Sequence, residues 1–129
     1  MLKSLNKVQK SAVQSFGKPV LIFAGAGSGK TRVLTHKIAY LANENLIPEK
    51  NILAVTFTNK AAQEMKIRVA SLNKKKTIEA TIGTFHSICA RILRKEIKNI
   101  GFTSDFTIFD VQDQISLSKV ILDEMKVAK

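Results

Sequence analysis

The chain has 129 residues and a mass of 14.3 kDa, with 21 Lys and Arg against 10 Asp and Glu, a formal net charge of +11. That length corresponds to one domain, and 45% hydrophobic content suits a packed core rather than a disordered chain. No apolar run approaches the ~20 residues of a membrane-spanning helix. No apolar stretch of signal-peptide length follows the N-terminal lysines, and a lone cysteine, Cys89, excludes an intrachain disulfide and argues against a cysteine zinc site. A reduced, cytoplasmic setting is therefore expected. The positive excess favours a polyanion as partner, whether nucleic acid, nucleotide or an anionic surface. Lys outnumbers Arg by 17 to 4, and a lysine-rich surface also suits plain solvation.

In chain order, Asn6 followed by Gln9 reads as a capping box, with Leu5, Val8, Ala12 and Phe16 on one apolar helix face. Gly17-Lys18-Pro19 stops that helix. The unbroken apolar run 20–24 predicts a strand buried on both faces. A glycine-rich turn, Gly25 to Gly29, leads into a helix with Val33, Leu34, Ile38 and Leu41 on one side, fading at Asn43-Glu44-Asn45. Residues 52–57 predict a second buried strand. Asn59 then opens, and caps, a helix carrying Ala62, Met65, Val69 and Leu72 toward the core. Lys74-Lys75-Lys76 is a basic turn. Residues 78–84 predict a third strand, weakened by Gly83. Residues 85–100 predict a helix with Ile88, Ile92, Leu93 and Ile97 inward, ended by Gly101. A short strand at 106–109 and a helix from Val111 to Met125 complete the pattern. Alternating strands and helices imply an α/β fold with a mainly parallel sheet.

The run Ala24-Gly25-Ala26-Gly27-Ser28-Gly29-Lys30-Thr31 matches the phosphate-loop pattern at Gly29, Lys30 and Thr31, and departs from it at Ala24, where the general pattern has glycine. It sits between a predicted strand and a predicted helix. Glycines let successive N–H groups turn toward a phosphate, and the helix N-terminus adds partial positive charge. Lys30 suits the β- and γ-phosphates, and the Thr31 hydroxyl suits Mg²⁺.

Three further segments narrow the reading: Leu5-Asn6-Lys7-Val8-Gln9 before the loop, TFTNKAAQEM from Thr56 to Met65, and Gly83-Thr84-Phe85-His86-Ser87. In this order and spacing the chain resembles the opening of a UvrD/Rep/PcrA-type superfamily 1 DNA helicase, from Leu5 to about Leu122. AGAGSGKT, alanine included, is a form this family uses. The resemblance implies a RecA-like P-loop NTPase fold, three-layered and here incomplete. Residues 1–129 would be the front of the first motor domain, with about 111–129 leading toward an inserted helical subdomain. It implies ATP and Mg²⁺ as cofactors, single-stranded and duplex DNA as partners, 3′-to-5′ unwinding in repair or replication, and no membrane.

Roles follow by resemblance. Lys30 and Thr31 would be catalytic, Thr31 holding Mg²⁺, and Ala24 to Thr31 would cradle the phosphates. Gln9 would hydrogen-bond adenine, a role compatible with helix capping. Arg32 resembles a residue near the nucleotide; a solvated helix arginine fits equally. Phe57, Thr58, Asn59 and Lys60 resemble one DNA-contacting motif, with Phe57 either a stacking face or a core aromatic. Thr84, Phe85, His86 and Ser87 resemble a second. His36 reads as helix surface, and Cys89 as a buried, inert thiol. Arg91, Arg94, Lys95 and Lys98 form a stripe that tracks either a phosphate backbone or, the favoured reading, bulk water.

The acidic Asp-Glu-x-x-Asp motif that such ATPases require has only a decoy here, Asp123-Glu124, which falls within the periodicity of the last helix. The expectation is a fragment that lacks the remaining helicase domains and does not turn over ATP alone. The competing expectation is a truncated, non-hydrolysing module that binds single-stranded DNA or a partner.

Overall fold

A computed structural model describes residues 1–44, 46–74 and 77–126 of the chain. Asn45, Lys75 and Lys76, expected at a helix end and in a basic turn, lie outside the described residues, as does 127–129 of the expected subdomain lead. The chain forms two compact units, Met1–Cys89 and Ala90–Lys129.

In the first unit, helix α1 (Lys7–Gln14) starts at the expected capping box: Asn6 Oδ1 accepts from Gln9 N–H at 2.8 Å, and Asn6 N–H donates to Gln9 Oε1 at 3.2 Å. Its inward face differs from the expected one. Val13 is fully buried and Leu5 is buried, whereas Val8 and Phe16 are exposed. The helix ends at Gln14, two residues before Phe16, so Phe16 leaves the helical period. Val13 and Leu5 pack with Val33 of helix α2 (Lys30–Asn43). Lys37 of α2 donates to the Ala12 and Ser15 carbonyls, placing a cation at the C-terminus of α1, where the helix dipole favours one. Partial burial lowers its pKa below the usual lysine value. His36, expected on the surface, is buried, with Nδ1 at 2.8 Å from the Arg32 carbonyl. That partner within its own helix is what lets a polar ring sit among apolar neighbours.

Strand β1 (Leu53–Thr56) pairs in parallel with strand β2 (Thr81–Thr84), in the register Leu53↔Thr81 to Thr56↔Thr84. Helix α3 (Asn59–Leu72) connects them and packs on both. Met65 and Val69 of α3 meet Ile52, Ile82, Ile38 and Leu41 in the main core, as their spacing predicted. Glu49 and Asn73 pin the far end of this layer. Asn73 Nδ2 donates to Glu49 Oε1 at 2.7 Å and to the Thr77 carbonyl at 2.6 Å, and Glu79 N–H donates to Glu49 Oε2 at 2.9 Å.

The α/β class holds, but the sheet among the described residues has two strands. The run 20–24, expected as a buried strand, pairs with neither; Leu21 is 78% and Phe23 90% exposed. An apolar run registers a need for burial, but burial on both faces requires flanking strands and covering helices, and β1 and β2 pair only with each other.

Gly83 does more than weaken β2. A Cβ there would stand 2.8 Å from Ser87 Oγ and 3.2 Å from Ile88 Cγ1, and Ser87 Oγ is already bonded to Thr84 N–H at 3.0 Å. Gly83→Ala is expected to cost about 1–3 kcal/mol through overpacking. In thermal melts that is a fall of about 4 °C or more; a melting point within 1 °C of the parent's would show that the turn yields freely.

Helix α4 (Phe85–Glu96) begins in the first unit and continues into the second, where a 3₁₀ turn, Ile97–Ile100, follows it. Ile88 and Ile97 are buried as expected. Ile92, Leu93 and Cys89 are exposed, contrary to expectation. The expected strand 106–109 does not form; these residues have no regular secondary structure. Phe106 is the half-buried one among them, with the Arg94 guanidinium 5.4 Å from the ring centroid. Arg94 thus has a cation–π partner, while the rest of its stripe is solvated. Helix α5 (Val111–Glu124) is capped by Asp110 and Asp113, and Asp123-Glu124 falls in its last turn.

Candidate nucleotide loop and nucleic-acid interface

The loop before α2 is built by its own hydrogen bonds. Ser28 Oγ donates to the Gly25 carbonyl at 2.7 Å. Gly29 caps α2 with φ of 89°, a left-handed conformation that side chains resist, and its carbonyl accepts the first helical bond, from Val33 N–H at 3.0 Å. Lys30 Nζ folds back over the loop, donating to the Ala24 carbonyl at 2.8 Å and the Gly25 carbonyl at 2.6 Å. Ala24 and Gly29 are half-buried; Gly25, Ala26, Gly27, Ser28, Lys30 and Thr31 are exposed. The result is a short, open arc of backbone at a helix N-terminus with one ammonium group held across it, a site that suits an anion. Thr31 presents a hydroxyl in the first turn. No group of three or more His, Cys, Asp or Glu side chains that could hold a metal ion occurs among the described residues.

Two side chains from the N-terminal segment meet this loop. Gln9 Nε2 donates to the Ser28 carbonyl at 3.2 Å, while its Oε1 stays in the capping box. Both ends of the amide are therefore fixed, with one N–H and one lone pair left over. Capping and a place beside the loop are thus combined in one residue. Arg32 is exposed in the first turn of α2, next to the loop. Its Nη2 donates to the Ser4 carbonyl at 2.8 Å, a link with no signal in the sequence.

The second cluster lies where β1 and β2 end. Thr56 and Thr84 are a register pair, both buried. Phe57 and Phe85 follow them side by side, with ring centroids 6.1 Å apart and planes inclined by 54°. Phe57 is 91% exposed and lies outside the core of this unit, and Phe85 is 55% exposed. The repeated Thr-Phe at two parallel strand ends was the available signal for this pairing. Thr58, not Asn59, caps α3, its Oγ1 accepting from Ala61 N–H at 3.1 Å. Its extended backbone fits a cap, and Asn59 is the first helical residue. Asn59 and Lys60 are exposed on that turn. Thr84 and Ser87 bind each other reciprocally: Ser87 N–H donates to Thr84 Oγ1 at 3.2 Å, and Thr84 N–H to Ser87 Oγ. Their hydroxyls thus serve the start of α4, and His86 and Phe85 form the open surface there. Two ring faces and two helix N-termini at one sheet edge offer stacking and phosphate contacts together.

Among the described residues no helix is long and apolar enough to cross a membrane. The family described as the UvrD/REP helicase N-terminal domain matches residues 5–129. The ATP-dependent DNA helicase PcrA of Bacillus subtilis is 54% identical over 124 residues, 96% of this chain and 17% of that protein. PcrA of Staphylococcus epidermidis is 52% identical and that of Staphylococcus aureus 51% identical, each over 122 residues, 95% of this chain and 17% of the relative. The chain thus spans about a sixth of the length of these curated relatives. It belongs to the UvrD/REP helicase N-terminal domain family.

Proposed function

We propose that the chain is the front of the first RecA-like, P-loop motor domain of an ATP-dependent 3′–5′ DNA helicase acting in cytoplasmic DNA repair or replication. The observation that carries this reading is the glycine arc with Lys30 Nζ held across it at the N-terminus of α2. In the proposal, residues 24–31 cradle the ATP phosphates, and Lys30 exchanges two neutral carbonyls for charged phosphate oxygens. Thr31 offers its hydroxyl to Mg²⁺, which supplies charge neutralisation at the phosphates when bound. Gln9 reads adenine with its remaining N–H and lone pair. Arg32 acts from its tether on Ser4, next to the loop. Phe57 and Phe85 stack on bases. Asn59, Lys60 and His86, with the helix turns organised by Thr58, Thr84 and Ser87, contact the strand's phosphates.

Hydrolysis needs an acidic residue opposite the loop, which 1–129 does not provide in the proposed fold. The chain alone is therefore expected to release no phosphate above a Lys30→Ala control, with or without single-stranded DNA. Grafted in place of the matching segment of Bacillus subtilis PcrA, it is expected to support DNA-stimulated ATP turnover. A folded graft without turnover would overturn the proposal. Turnover by the chain alone would overturn the division of labour between the segments.

A further inference from the structure

Residues 1–43 contain six Lys, one Arg and no acidic residue, a net charge of +7, while residues 44–129 carry 14 basic and 10 acidic side chains, a net +4. Lys30 bonds the loop carbonyls, Arg32 bonds the Ser4 carbonyl, and Lys37 closes α1. Lys7, Lys10 and Lys18 have no role in the reading above. Lys7, Lys10, Ser11 and Gln14 fall at i, i+3, i+4 and i+7 of α1, a single polar stripe. The chain turns at Gly17, with φ of 77°, and Lys18 joins the stripe. With Phe16, these residues line an open concavity of about 550 Å³. The Phe16 ring is 51% exposed. Neither ion pair among the described residues, Arg68–Glu64 or Lys95–Glu96, involves this face.

We infer that the concavity formed by Lys7, Lys10, Phe16 and Lys18 is a second contact surface for single-stranded nucleic acid, separate from the strand-end aromatics. Three ammonium groups on flexible stems match the repeating charge of a phosphate backbone, and Ser11 and Gln14 add neutral donors for phosphate oxygens. The exposed ring among them selects a strand whose bases are free to stack. The inference does not depend on the proposed roles of the loop or of Phe57 and Phe85.

The test is fluorescence anisotropy of labelled dT20 with the 129-residue chain, titrated between 50 and 200 mM NaCl. The Lys7→Gln/Lys10→Gln/Lys18→Gln variant is expected to bind at least about tenfold more weakly at 50 mM. Its log–log salt slope should fall by about 2, since each lost phosphate contact removes about 0.7. The single variants Lys7→Gln and Lys18→Gln should each lower the slope by about 0.7, which covers any instability of the triple variant. Phe16→Ala should weaken binding about fivefold or more with the slope unchanged. The inference is overturned by a parent chain that does not bind dT20, or by a triple variant that matches it. It is also overturned if Lys50→Gln/Lys66→Gln/Lys119→Gln, which removes the same charge elsewhere, causes an equal loss. Tighter lysine-dependent binding to polyglutamate or to phosphatidylserine vesicles would equally overturn it. Phe57→Ala/Phe85→Ala, which leaves these lysines intact, reports separately on the strand-end site.

Discussion

In the PcrA graft, Lys30→Ala is expected to lower DNA-stimulated ATP turnover by about 10³-fold or more, the scale on which a single cation stabilises phosphoryl transfer. The size of this effect follows from where the ammonium already sits. Lys30 Nζ is 2.8 and 2.6 Å from two loop carbonyls, so the arc that would enclose a phosphate is the arc it spans. Those partners are neutral and the loop is largely exposed, so replacing them with phosphate oxygens gains a charge-assisted bond and strands no buried group. Lys30→Met retains much of the stem and should lose turnover to the same extent, which separates charge from packing. Lys30 is exposed, so the melting temperature should stay within about 2 °C of the parent's. A folded variant with turnover within tenfold of the parent would remove Lys30 from the catalytic machinery.

Local chemistry was legible at several places where the sequence itself supplies both partners. The Asn6–Gln9 box, the glycine turn into α2 and the Met65–Val69 face each depend on residues three or four positions apart, and each formed as expected. The apolar expectations that failed depended on long-range neighbours. The run 20–24 has the composition of a central strand, yet β1 and β2 pair only with one another, and Phe23 stands in solvent. Ile92 and Leu93 have the spacing of an inward face but are exposed. Polar residues misled for the converse reason. His36 tolerates burial because the Arg32 carbonyl lies one turn below it, and Arg32 itself reaches Ser4 across 28 positions. Hydropathy cannot register either bond. For the strand-end cluster, motif spacing picked out Phe57 and Phe85 separately. Only the parallel register of Thr56 and Thr84 makes them one surface.

That surface yields the second large effect. In the same graft, Phe57→Ala is expected to weaken binding of single-stranded DNA by about 1–3 kcal/mol, the usual loss for one base–aromatic stack. Phe85→Ala should cost less, because more of its ring is covered by protein. The rings contact each other at 6.1 Å, and such pairs contribute about 0.5–1.5 kcal/mol beyond buried area, so the double variant should lose measurably less than the two single losses added together. Each loss should leave the salt slope unchanged, because removing a ring removes no phosphate contact. Stability should also hold for Phe57→Ala, since a ring 91% exposed contributes little to the core. Phe57→Trp, which keeps a stacking face, should retain affinity. Strict additivity of the two alanine losses would mean that the rings act as separate sites, and unchanged affinity in the double variant would move the DNA away from this sheet edge altogether.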